Sequence, residues 1–145
     1  MPKVCVFYIT GHGYGHATRS FQLIKLLIRS KWHVIIVSTI SPEFLAQNFG
    51  TLGDSVSLEN RNLDGGAIQP SPLDIDSIAT LGTYFQVHMN RENLIDFEVH
   101  FVQSISATLI LSDATPLAGV IGSRANVVSI LVSNLTWDYI YHAML

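Results

Sequence analysis

Three glycines alternate with other residues in Gly11-His12-Gly13-Tyr14-Gly15, and His16 follows them directly. The glycines let backbone come close to a bound group. His16 stands where a helix would start, beside free N–H groups and the positive end of the helix dipole. That setting disfavours the protonated ring, and a neutral imidazole is suited to take a proton from a substrate. Such a base works with an acceptor on its second nitrogen, and Asp113, at the end of another apolar run, is the candidate partner. Plainer readings stay open at this point: His16 as a capping or structural histidine, and Asp113 as the helix cap before Pro116.

Two other uses of a strand, a Gly-rich turn and a helix are disfavoured by the residues themselves. A dinucleotide fingerprint counted from Gly11 puts His16 where its third glycine belongs, and the end of the next apolar run, Ser38-Thr39-Ile40, lacks the acid that would hold a ribose. No Gly-Lys-Ser/Thr follows the turn, so it is no P-loop. Metal-ligand spacing is also missing: His12 and His16 flank a glycine turn with no carboxylate nearby in sequence, and no metal is assigned.

The elements that must position these groups follow from periodicity. Val4–Ile9 is an apolar, β-branched run, and Phe21, Leu23, Ile24, Leu27 and Ile28 repeat at helical spacing after His16. His33–Thr39 completes a βαβ unit, which should be right-handed and parallel. Ser41 and Pro42 open a short helix to Phe49, and a weaker strand covers Val56–Glu59. Residues 61–76 form a long loop rich in Gly, Pro, Asp and Asn. A helical stretch, capped by Asp76 or Ser77 and broken near Met89, reaches about Ser106. Strand Thr108–Leu111, a helix from Pro116 to about Arg124, strand Val127–Val132 and an aromatic helix over 136–141 complete the reading. The fold class predicted is α/β, a Rossmann-like, doubly wound, mostly parallel sheet. Ligands in such sheets sit outside the carboxyl ends of strands, where three polar clusters fall: Gly11–His16, Asp113–Pro116 and Asn134–Asp138.

At 145 residues the chain is one domain, 48% apolar and only 13% charged, with a net charge of -3. No basic cluster could neutralise a row of phosphates, so nucleic acid is excluded as a partner. No apolar run approaches the roughly 20 residues of a membrane span, and Met1-Pro2-Lys3 runs straight into the first apolar run with no small-residue cleavage site. A cytoplasmic location is expected. Cys5, the single cysteine, lies within an apolar run and reads as a buried thiol.

The segment YITGHGYGHATRS resembles the opening of the GT-B-like family that includes the amino-terminal domain of plant arabinokinases and related bacterial and fungal proteins. NLDGGAIQPSPLDID, NRENLIDFE, LILSDATPLAG and SNLTWDYIY resemble later blocks of that family in the same order, so the likeness spans nearly the whole chain. More distantly, the glycine–histidine turn resembles that of glycosyltransferases acting on peptidoglycan precursors and on plant small molecules. The resemblance implies transfer of a sugar from a nucleoside diphosphate to an acceptor hydroxyl, with His16 as base and Asp113 supporting it. The nucleoside-diphosphate sugar is then a co-substrate, and no other cofactor is implied.

Gly11, Gly13 and Gly15 would leave room for substrate, and His12 and Arg19 would be polar or diphosphate contacts unless they are solvated or capping residues. Asp64, in Asp64-Gly65-Gly66, reads equally as part of an acceptor loop or as an ordinary turn. Asn134, Trp137 and Asp138 complete the expected substrate contacts, with core or interface packing as the plainer reading of Trp137.

In GT-B enzymes the donor nucleotide sits mainly on a second domain. The resemblance therefore implies an acceptor-side domain over 1–145 that needs a nucleotide-binding domain in cis or trans, and a small-molecule or lipid-linked acceptor. The end at Ala143-Met144-Leu145, soon after an aromatic helix begins, suggests a fragment, weak or inactive alone. The competing reading is a noncatalytic sugar- or nucleotide-sensing accessory domain of a sugar-kinase-like protein.

Overall fold

The structure is a computed structural model describing residues 3–50, 53–134 and 136–145. Of the residues discussed above, Met1, Pro2 and Leu135 lie outside the described residues. Strands β1 (Lys3–Ile9), β2 (Trp32–Val37), β3 (Val56–Glu59), β4 (Leu109–Asp113) and β5 (Val128–Leu131) form one sheet in the order β3-β2-β1-β4-β5, with every neighbouring pair parallel. The helices are α1 (Tyr14–Arg29), α2 (Pro42–Phe49), α3 (Ser77–Met89), α4 (Arg91–Ser104), α5 (Leu117–Ala125) and α6 (Trp137–His142). This is the α/β, Rossmann-like architecture expected from the alternating strand and helix patterns.

β1 is a central strand, and its alternating side chains feed two cores. Cys5, Phe7 and Ile9 pack with Phe21 and Ile24 of α1 and Leu45 and Phe49 of α2. Val6 and Tyr8 point the other way, among Ile95 and Val102 of α4 and Ala118 and Ile121 of α5. A strand covered on both faces has no polar face, which is why it reads as an unbroken apolar run. Full burial of a side chain such as Phe21 or Ile24 stabilises by about 1.5–3 kcal/mol. A third cluster, Ala67, Ala114, Trp137 and Tyr141, ties the long loop to α6.

Chain order reverses beside β1: β2 and β3 lie on one side, β4 and β5 on the other. The carboxyl ends of β1 and β4 are therefore neighbours. Ile9 pairs with Asp113, and the Thr10 amide donates to the Asp113 carbonyl at 3.2 Å. This is the switch point at which open parallel sheets bind ligands.

Several boundaries differ from the sequence reading. α1 starts at Tyr14, within the glycine turn, because Gly13 takes φ 75° at its N-cap and the Tyr14 ring packs 4.4 Å from that of Phe44. β4 runs two residues beyond Leu111, which makes Asp113 its last member. β2 ends at Val37, with the Ser38 amide still donating to the Glu59 carbonyl at 3.1 Å, so Thr39 lies beyond the strand. The break in the long helical stretch falls at Asn90, with Asp76 capping the Ala79 amide at 2.9 Å. Ser41 caps α2 through the Phe44 amide, with Pro42 in the first turn as expected. Among the described residues no helix is long and apolar enough to cross a membrane.

The three cores share a consequence at high pH. Burial pushes the Cys5 thiol from 9.0 up to about 12. It also raises the Tyr8 phenol above its usual 10.0, with the Glu98 carboxylate adding to the effect. Burial, then the nearby Asp64 charge, raises Tyr141 to about 12. The native state thus keeps protons that the unfolded chain has released, so stability is complete below about pH 9 and falls as pH rises toward 12. We expect the melting temperature to drop steadily across that window, with Cys5→Ala removing the earliest part of the fall. A melting temperature flat between about pH 9 and pH 11 contradicts this account.

Candidate active site

The site is assembled at the carboxyl ends of β1 and β4. Asp113 is fully buried, and both of its oxygens are occupied. Oδ1 lies 2.9 Å from His16 Nδ1 and accepts from an Arg19 terminal nitrogen at 2.6 Å. Oδ2 accepts from Ser20 Oγ at 2.9 Å and from Arg19 Nε at 3.3 Å. Burial pushes the carboxyl up, but the hydrogen bonds from His16, Arg19 and Ser20 outweigh it and hold Asp113 below its usual 3.8. Asp113 is therefore an anion across the whole neutral range.

His16, Arg19 and Ser20 are spaced three and four apart on α1, so they share one face of that helix. That face looks at the end of β4 because α1 returns from β1, the strand beside β4. With Nδ1–H given to Asp113, the His16 lone pair is on Nε2, which has no hydrogen bond among the described residues. The His16 side chain is 22% exposed, so a substrate can reach it. The geometry suits a base with an orienting carboxylate. Asp113 does not cap α5, whose first turn has Pro116 at the N-cap and no side-chain cap bond.

The other expected residues are distributed around this pair. Arg19 also donates to Asn134 Oδ1 at 3.1 Å, which links α1 to the segment between β5 and α6. Its Nε and both terminal nitrogens are thus used within the protein. Gly11 lies so close to the Thr39 hydroxyl that a methyl group would force that side chain to move, whereas Gly13 and Gly15 face open space. The His12 ring meets Trp137 edge-on, with centroids 5.6 Å apart. Burial first, and then the neighbouring His16, lower the His12 pKa from 6.5, with a Gln69 hydrogen bond opposing them.

Asp64 is buried, and its two oxygens accept from Thr10 at 3.1 Å and Thr115 at 3.2 Å. Burial raises its pKa above 3.8, against the hydrogen bonds from both threonines and the nearby His16. Asp64 thus pins the long loop to the ends of β1 and β4. Trp137 is buried against Tyr141, and its indole N–H has no hydrogen-bond partner among the described residues. Asp138 is exposed in the first turn of α6, its pKa lowered mainly by a hydrogen bond from Thr136.

A cavity of about 630 Å³ opens beside these residues. Its wall is mostly apolar and aromatic, including Leu81, Tyr84, Phe85 and Tyr141, with Asp64, Trp137 and Asp138 from the expected set. His16 and Asp113 do not line it. Two residues of its wall touch the turn between β1 and α1: Asp64 accepts from Thr10, and Trp137 meets the His12 ring. Sequence reasoning missed Ser20 and the engagement of Arg19 with Asp113. The signal available was their helical spacing from His16.

No family model matches the chain. In sequence it is 36% identical over 141 residues to L-arabinokinase of Arabidopsis thaliana, an alignment that takes in 95% of this chain and 13% of that protein. In structure it is similar to UGT89C1 of Arabidopsis thaliana in complex with UDP, with a TM-score of 0.61 and 15% identity, over 90% of this chain and 35% of the other. It is also similar to CalG4, the calicheamicin glycosyltransferase, with a TM-score of 0.57 and 19% identity, over 92% of this chain and 33% of the other. The chain thus spans about a third of the length of these structures and a smaller part of L-arabinokinase.

Proposed function

We propose that this chain, which has the fold of GT-B glycosyltransferases and is similar in sequence to part of L-arabinokinase, forms the acceptor-binding half of a transferase that moves a sugar from a nucleoside diphosphate to an acceptor hydroxyl. His16 takes the acceptor proton on Nε2. Asp113 holds the Nδ1–H tautomer and balances the imidazolium that forms. The apolar body of the acceptor occupies the cavity next to Asp64 and Trp137, and its hydroxyl reaches His16 past His12. A second nucleotide-binding domain, in cis or trans, holds the donor. General-base help of this kind accounts for about 10²–10⁴-fold of the rate, the rest coming from positioning and from charge stabilisation at the leaving diphosphate.

The observation that carries the reading is the 2.9 Å contact between His16 Nδ1 and buried Asp113, which leaves the other ring nitrogen for substrate. The shared fold with UGT89C1, described in complex with UDP, supports it. Calorimetric titration with UDP and UDP-sugars tests it. We expect binding in a protein that pairs this chain with its nucleotide-binding domain, and little or none to the 145 residues alone. Tight binding to the 145 residues alone overturns the split-site reading and points to a self-contained sensor.

A further inference from the structure

Arg19 contacts the carboxylate that orients His16, although a base that depends on an anionic partner gains nothing obvious from a cation sharing that partner. Its Nε and one terminal nitrogen grip both oxygens of Asp113, at 3.3 and 2.6 Å, in the two-pronged arrangement that guanidinium and carboxylate favour. The other terminal nitrogen is fixed by Asn134 at 3.1 Å. The arginine also comes within 3.4 Å of His16 Nδ1. With the proton of that nitrogen given to Asp113, this approach sets one positive group beside another group that would become positive.

We propose that Arg19 is a positioning residue that neutralises Asp113 and thereby keeps His16 an uncharged imidazole with a free Nε2 lone pair, ready to accept a substrate proton. A fully buried carboxylate whose one cationic partner was His16 would draw a proton onto the ring, because a buried charge without a countercharge is unfavourable. Arg19 supplies that countercharge permanently, since guanidinium does not deprotonate in proteins. Asp113 then needs only the Nδ1–H of a neutral ring. The other ionisable groups facing His16 are His12, on the loop after β1, and Asp64, on the long loop, and these oppose one another in sign. Asn134, from the β5–α6 segment, is neutral and acts only by holding Arg19.

This inference rests on the reading of His16 as the base, but its test needs no turnover, so the two can fail separately. The His16 ring is followed by NMR from acid to alkaline pH, its signal identified by its loss in His16→Gln. Arg19→Gln removes the charge and keeps hydrogen-bonding capacity, and Arg19→Lys keeps the charge and loses the two-pronged grip. We expect the midpoint of the His16 titration to move up by about one pH unit or more in Arg19→Gln, the scale expected when an opposite charge is no longer shared. Arg19→Lys should stay close to the unsubstituted protein. An unchanged midpoint in Arg19→Gln overturns the proposal. So does an equal shift in both variants, which would assign the effect to packing. Arg19→Met, which keeps the apolar stem, replaces Arg19→Gln if that variant does not fold.

Discussion

His16→Gln, made in a protein that pairs this chain with a nucleotide-binding domain, is expected to lower kcat by about 10²–10⁴-fold while KM for the acceptor changes little. The substitution retains a polar side chain of similar reach and removes the basic lone pair. The proton then leaves the acceptor hydroxyl only to water, and the imidazolium that Asp113 would stabilise no longer forms. Binding of the acceptor body in the cavity is untouched, because His16 is not part of that wall. An effect confined to kcat marks an interaction realised only in the transition state. Steady-state rates with a UDP-sugar donor measure it, and a kcat within about threefold of the unsubstituted protein removes His16 from the mechanism.

Local features of this fold were legible because their causes are local. The β-branched run through β1, the glycine turn, Ser41-Pro42 before α2 and the cap at Asp76 each act within a few residues. Strand–helix alternation then implied a parallel sheet, and the right-handed crossover rule left few ways to order it. Asp113 was found as a candidate because it ends an apolar run, a position that polar ligand-binding residues occupy in such sheets. The role of Arg19 was not legible. Three residues beyond His16 it could face solvent, a phosphate or the sheet edge, and the choice depends on β4 lying beside β1, which only the assembled sheet decides. The cavity was hidden for a related reason. Its wall comes from α3, the first residue of α4, the start of α5, α6 and the long loop, and no single segment carries a pattern that announces it.

Glu98 illustrates the same limit and yields the largest expected loss of stability. It lies in α4, where a charged residue ordinarily marks the solvated face, yet it is only 1% exposed. Oε1 accepts from Arg61 Nε at 2.6 Å, and Oε2 accepts from the Tyr8 hydroxyl at 2.9 Å and an Arg61 terminal nitrogen at 3.1 Å. Arg61 also donates to Glu59 at 2.7 Å and stacks 4.4 Å above the Phe101 ring. The cluster joins β1, β3, the start of the long loop and α4 on the face opposite α1. Glu98→Ala leaves the fully buried Tyr8 hydroxyl without its acceptor and removes two of the three carboxylate contacts that a largely buried guanidinium makes among the described residues, leaving it the half-exposed Glu59, and is expected to cost about 3–5 kcal/mol. That is a large part of the roughly 5–15 kcal/mol that holds a domain of this kind folded. Replacing all three polar partners together, as Tyr8→Phe, Arg61→Met and Glu98→Leu, should recover most of the loss, because no buried charge or donor is then stranded. Urea unfolding of the single and triple variants measures both quantities. A loss below about 1 kcal/mol in Glu98→Ala would mean that water reaches the cluster and solvates Arg61 there. A triple variant no more stable than the single one would mean instead that the direct attraction between Arg61 and Glu98, and not the penalty of stranding either, holds the long loop against α4.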